Sequence, residues 1–218
     1  MIVGVKLGSK TLTNGNGVVY ENFIEHVCRQ IVHLKRQKKK VFLVTSGAVA
    51  CDPCKKRSKN LRAAIGQRKL LSFYSKYLND QGMEPAQFLL TDKNIKAPYN
   101  SVIYEVLMEA LRDDKTIPII NANDVVDGKE LRALEVCADN DLLFKYVCLL
   151  LEADSAIIGI DRPGFCDYTG MKMTAVNQND YERVSAYISN GNSLGHGHDG
   201  MRVKVDVLFE LAAAGIHS

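Results

Sequence analysis

The residues able to do chemistry stand at the ends of short apolar runs. Ile117-Pro-Ile-Ile-Asn-Ala-Asn-Asp124 is an apolar burst closed by Asn121, Asn123 and Asp124, and Asp139, Asn140 and Asp141 directly precede a second apolar run at 142–151. Carboxylates in such places can orient a metal or an ammonium, and amides both donate to and accept from a carboxylate ligand. Cations and small residues occupy comparable positions. Lys6 precedes Gly8 and Ser9, Ser46-Gly47-Ala48 closes the run 41–45, and Lys204 follows the glycine-rich stretch 190–200. Lysines and small-residue turns facing phosphates, opposite carboxylates and amides facing a polar substrate, suit phosphoryl transfer. That reaction needs charge neutralisation and in-line positioning more than covalent chemistry. Each acidic cluster also has a plainer reading, with Asp139 or Asn140 as a helix N-cap and Asp124 as a turn residue.

Other chemistries lack their residues. No GxxxxGK[ST] is present and no GxGxxG follows the first apolar run, which excludes a P-loop and a dinucleotide fingerprint. There is no GxSxG and no HExxH. Cys51-Asp-Pro-Cys54 is half of a zinc site with no second half, so it reads as two loop cysteines flanking a turn. His196 and His198 share the glycine-rich stretch without a third ligand, and no metal site is expected there. The stretch itself, leading into a helix expected from about 201 to 214, suits an anion: exposed amides and the helix dipole both favour phosphate. Lys204 falls one turn inside that expected helix.

The elements that position these groups alternate. Apolar runs at 2–7, 41–45, 86–90, 117–120 and 155–160 read as strands, each closed by a polar or small-residue turn. Between them, Phe23, Val27, Ile31 and Leu34 recur at helical spacing, as do Leu61, Ile65, Leu70, Tyr74 and Leu78. Further helices are expected at 99–112 and 141–152. The pattern predicts α/β architecture: a three-layer α/β/α sandwich with a largely parallel central sheet. Right-handed crossovers then bring all the strand ends to one edge. Residues 164–178 read as a hairpin and 179–188 as a weak helix.

The 218 residues, 46% hydrophobic and 24% charged, have an ordinary globular composition, and a net charge of +3 does not by itself point to nucleic acid. The basic run Lys35 to Lys40 closes a helix, where cations favour the dipole. No apolar stretch reaches membrane-span length and residues 1–6 lack the features of a signal peptide, so neither a membrane nor a nucleic-acid partner is expected. Six scattered cysteines suit reduced thiols and a cytoplasmic protein.

Seven short motifs then stand together in register. Val5-Lys-Leu-Gly-Ser9, Val44-Thr-Ser-Gly-Ala48, Ala63-Ala-Ile-Gly-Gln67, Gln87-Phe-Leu-Leu-Thr91, the run 117–124, Asp139-Asn-Asp141 and Gly200-Met-Arg-Val-Lys204 resemble, in order and spacing, the amino-acid kinase superfamily. Ser46-Gly47-Ala48 and the paired Asn/Asp clusters are most similar to its glutamate 5-kinase branch. The resemblance runs from residue 2 to about residue 216. It implies ATP-dependent phosphorylation of the L-glutamate side-chain carboxylate, with Mg²⁺, as the first step of proline synthesis. It further implies that Lys6 and Lys204 neutralise the transferred phosphoryl group and the nucleotide. Asp139 and Asp141 would organise the lysines or Mg²⁺. Ser46, Gly47, Ala48, Asp124 and Asn140 would hold the glutamate, Asp124 taking the α-ammonium and Asn140 a carboxylate, with Asn121 a secondary contact. Gly8, Ser9, Ile160, Asp161, Gly200 and Met201 would lie at the nucleotide. A homo-oligomer is implied, and proline is left open as a feedback ligand.

Three positions depart from the family pattern, all on the nucleotide side. Ile160 stands where the family usually has threonine, Val203 replaces a hydroxyl residue, and the stretch 195–200 is longer and more polar than usual. These leave two alternatives: a family kinase for another small acid or phosphate, or a binding member without turnover. Relatives continue into a further strand, and many add a small RNA-binding-like (PUA) domain. The expectation here is a single kinase domain over 1–218, short at its C-terminal side, with an unpaired sheet position and an open nucleotide pocket.

Overall fold

The computed structural model describes residues 1–126, 139–161, 164–167, 169–190 and 198–218. The expected alternation is present. Strands β1 (Ile2–Leu7), β2 (Lys40–Thr45), β3 (Glu84–Leu90), β4 (Thr116–Ala122) and β5 (Ser155–Gly159) form one sheet in the order β3-β4-β2-β1-β5, with every pairing parallel. The helices are α1 (Ser9–Leu12), α2 (Glu21–Arg36), α3 (Lys59–Asn79), α4 (Asp92–Ile95), α5 (Asn100–Arg112), α6 (Asn140–Leu150), α7 (Tyr181–Asn190) and α8 (His198–Ala213).

Strand parity divides the core into two layers. Val3, Val5 and Leu7 of β1, with Val41 and Leu43 of β2 and Ile117 and Ile119 of β4, pack against α2 and α3. Phe42 and Val44 of β2, with Ile120 and Ala122 of β4, pack against α5, α6 and α8 on the other face. Successive strand residues point to opposite faces, so Lys6 belongs with Gly4 on the α6 side. Gly4 is the contact point: a Cβ there would lie 2.6 Å from Phe42 and 2.9 Å from Phe144 of α6. Its bare backbone lets α6 approach β1 closely, and α6 carries the acidic cluster at its start.

Several boundaries differ from the sequence reading. Two single-turn helices, α1 and α4, replace expected loops. Thr11 closes α1 by donating its backbone N–H and hydroxyl to Gly8 O (3.1 and 2.7 Å), and a capping box between Thr91 and Asn94 starts α4. Such turns rest on local polar bonds and are too short to show a hydrophobic period. Strand β4 runs on through Asn121 and Ala122, because both keep pairing with β3. Helix α8 begins at His198, three residues before the expected start, and places Lys204 deeper in the helix. The 164–178 segment does turn back on itself, through a bridge between Cys166 and Lys172. The outer edge of β5 is not bare: Ala156 N–H donates to His217 O (2.8 Å) and His217 N–H to Asp154 O (3.1 Å). Among the described residues no helix is long and apolar enough to cross a membrane.

Candidate active site

The C-terminal ends of β1, β2, β4 and β5 share one edge with the start of α6, the edge where open α/β sheets bind ligands. Asp139 is the N-cap of α6 and its carboxylate accepts the Asp141 N–H at 2.7 Å. Asp139 thus serves as a helix cap, and the cap fixes the direction of Asp141. Asp141, almost fully buried, meets Lys6 through Oδ1 and Lys204 Nζ through Oδ2 at 2.8 Å. Lys204 Nζ also donates to Gly200 O one turn back in its own helix, at 3.0 Å. One carboxylate thus holds two ammonium groups from opposite ends of the chain. Lys6 is only 3% exposed. Burial lowers its pKa and Lys204 adds to that, while Asp141 opposes both. Lys6 is a charge held in place by its partner.

The residues expected to hold an acid stand on other elements. Gly47 turns the chain after β2 with φ at 100°, a conformation that L side chains rarely adopt. Ser46, buried, anchors its N–H on Leu7 O at 3.0 Å. Behind this loop α3 passes so closely that a Cβ on Gly66 would lie 1.7 Å from Ala48 O. From the same helix Gln67 accepts a hydrogen bond from Asn121 Nδ2 at 2.7 Å, and Asn121 Oδ1 accepts from Ala122 N–H at 2.9 Å. Asn121 is 1% exposed, so it supports the strand end more than it presents itself to a ligand. Asn140 Oδ1 accepts from the same Ala122 N–H at 3.3 Å. That orientation leaves its amide N–H groups as what it can offer a carboxylate. Asp124, beyond β4, is partly exposed and forms an ion pair with Lys59 Nζ at 3.7 Å.

Of the residues expected at a nucleotide, Gly8 caps α1 with its extended backbone, and Ser9 is exposed as the first helical residue. Ile160 and Asp161 directly follow β5, Asp161 exposed to solvent. Gly200 is exposed, whereas Met201 packs partly buried into a small apolar cluster with Val184, Ile188 and Val205. The glycine-rich stretch 191–197, with His196, lies outside the described residues. Cys51 and Cys54 are free, and burial pushes the Cys51 thiol up to about 11. Among the described residues no group of three His, Cys, Asp or Glu side chains could hold a metal ion. Asp141 organises lysines, and Asp139 has one oxygen engaged by its cap. This donor set fits Mg²⁺ carried on nucleotide phosphates, the usual arrangement for that ion, better than an all-protein cage.

Sequence reasoning assigned no role to Gln67, Gly66 and Lys59. Gln67 carried a readable signal, a polar residue on the inner face of an apolar helix. Gly66 and Lys59 gained theirs only from neighbours distant in sequence.

At this parallel-sheet edge, then, one buried carboxylate bridges a pair of lysines. The chain belongs to the amino acid kinase family, whose description matches residues 1–218. It is 34% identical to the glutamate 5-kinase of Clostridium tetani over 97% of this chain and 83% of that protein. It is 32% identical to that of Clostridium acetobutylicum over 92% of this chain and 79% of that one. The glutamate 5-kinase of Caldanaerobacter subterraneus is 36% identical over 77% of this chain, and there the match spans only 46% of the relative's length. Among solved structures, Giardia carbamate kinase has the same fold, with a TM-score of 0.64 at 16% identity, covering 98% of this chain and 89% of that one.

Proposed function

We propose that the protein transfers the γ-phosphoryl group of ATP to the side-chain carboxylate of L-glutamate, giving glutamyl 5-phosphate and ADP for proline synthesis in the cytoplasm. The observation that carries the reading is the state of Asp141. Both of its oxygens are engaged by lysines, so it is arranged as an organiser of positive charge and not as a base. A hydroxyl acceptor would need a base. A carboxylate acceptor is already ionised at neutral pH, and its difficulty is the repulsion between two anions. The names of the relatives support the same acceptor.

A glutamate carboxylate oxygen forms the new bond to phosphorus, the bond to the bridging oxygen breaks, and ADP leaves with that electron pair. No proton is transferred. Lys6 and Lys204 lie against the developing charge on the equatorial and leaving oxygens. Such fixed donors are worth about a hundred- to a thousandfold in rate each. Mg²⁺ arriving with the nucleotide would neutralise charge on the β- and γ-phosphates. Ser46, the turn at Gly47 and Ala48, and the Asn140 amide lie where the acid would bind, with Asp124 facing its α-ammonium. Asn121 positions Ala122 and, through it, Asn140.

The test is ADP release from MgATP with L-glutamate, with hydroxylamine trapping the acyl phosphate as a hydroxamate. A panel of other small acids and an Asp124→Ala variant run beside it. Glutamate-dependent hydroxamate that is lost in the variant is the expected result. Turnover with a different acid alone would transfer the function to another acceptor, and no turnover with any acid would overturn the kinase reading.

A further inference from the structure

Lys59 opens α3, directly after the N-cap Ser58, whose side chain accepts the Leu61 N–H at 3.2 Å. The first turn of a helix favours acids and disfavours cations, yet α3 has no acid in its first turn and begins with a lysine. Local preference therefore does not explain the residue. Its tertiary setting does. Lys59 Nζ lies 3.7 Å from Asp124 Oδ1, and the adjacent Asn60 Nδ2 donates to Val125 O at 2.9 Å, tying the helix start to the segment after β4. Both charged side chains stay reachable, 48% and 23% exposed. An ion pair this open adds little to stability, so its removal leaves the fold standing.

We infer that Lys59 is a specificity-determining residue that binds the α-carboxylate of the amino-acid substrate while Asp124 binds its α-ammonium. The inference rests on the proposed acceptor and deepens it. An α-amino acid carries an ammonium and a carboxylate on one carbon, a fixed pair of opposite charges a few ångström apart. Lys59 and Asp124 form the complementary pair. Without substrate the two neutralise one another, and the zwitterion replaces that exposed ion pair with two charge-assisted contacts. The phosphorylated carboxylate, at the far end of the substrate, is left to Lys6 and Lys204. Selection for an amino acid over a simple dicarboxylate or a simple amine then follows from one salt bridge opened and two formed.

The test is calorimetric binding, with no turnover required, of L-glutamate and of 4-aminobutyrate, which keeps the ammonium and the distal carboxylate but lacks the α-carboxylate. Wild type, Lys59→Met and Lys59→Arg are compared. Wild type is expected to prefer glutamate. Lys59→Met should weaken glutamate about ten- to a hundredfold and leave 4-aminobutyrate nearly unchanged, collapsing the preference, and Lys59→Arg should restore most of it. In steady state the loss should appear in KM and not in kcat. An equal loss for both ligands, or an unchanged preference in Lys59→Met, overturns the role of Lys59 while the kinase reading stands. No glutamate binding by the wild-type chain overturns both.

Discussion

Replacing Asp141 by asparagine keeps the shape of the side chain and removes the charge that holds two lysines. Lys6 is 3% exposed and sits beside Lys204, its neighbour on the same carboxylate. Removing one partner of a buried ion pair costs about 3–5 kcal/mol, because the remaining charge has no water to turn to. The chain has one escape, release of the Lys6 proton. For an ordinary lysine that costs roughly 5 kcal/mol at pH 7, and burial already lowers the Lys6 pKa, so the escape is cheaper here. A loss of about 3 kcal/mol is expected at pH 7. For a domain of this size that corresponds to a fall of about 6–12 °C in Tm. The pH dependence carries the sign. Lys6 binds its proton less tightly folded than unfolded, so the penalty is fully present below the folded pKa. It fades as pH rises towards the ordinary lysine value of 10.5. Thermal melts of both proteins from pH 6 to 10 read this directly, and the gap should narrow as pH rises. Turnover should fall about a hundred- to a thousandfold. An Asp139→Asn control retains a capping oxygen and should melt within about 2 °C of wild type. A pH-independent gap, or one no larger than that of the control, would refute the charge-holding role of Asp141.

Other consequences follow from packing and hydrogen bonding. Gly66→Ala places a Cβ where Ala48 O stands. It should cost about 1–3 kcal/mol in urea unfolding and raise KM for the acid more than for ATP, since the displaced loop carries Ser46 and Gly47. Gln67→Leu leaves the buried Asn121 Nδ2 without its partner and should destabilise by about 1–3 kcal/mol in urea unfolding. The Arg57 guanidinium, bound to both oxygens of Asp52, holds that carboxyl below its ordinary 3.8. Its contribution is present above that value and is lost as pH falls through the lowered one, so Asp52→Asn should flatten the acid limb of an unfolding curve in that window.

Much of the fold was legible because the sheet is parallel and buried. Such strands read as unbroken apolar runs, and each of the five strands lies within a residue or two of its expected span. The polar ends of those runs gather at one edge, as parallel strands require. What escaped were α1 and α4, single turns held by Thr11 and Thr91, and the early start of α8, where Gly200 does not interrupt the helix.

The site was legible as a set of residues and not as a set of partnerships. Sequence alone determined that Lys6 lies near the polar end of a strand, and that Asp139 or Asn140 begins a helix, because apolar runs mark both elements. Only the tertiary structure decided that Asp139 caps while Asp141 binds lysines, and that Lys204, 63 residues further along the chain, shares that carboxylate. It also decided that Asn121 faces Gln67 across 54 residues, and that Lys59 stands against Asp124. Local spacing sets the face a side chain points from. The crossovers and the close approach at Gly4 and Gly66 set what it meets there.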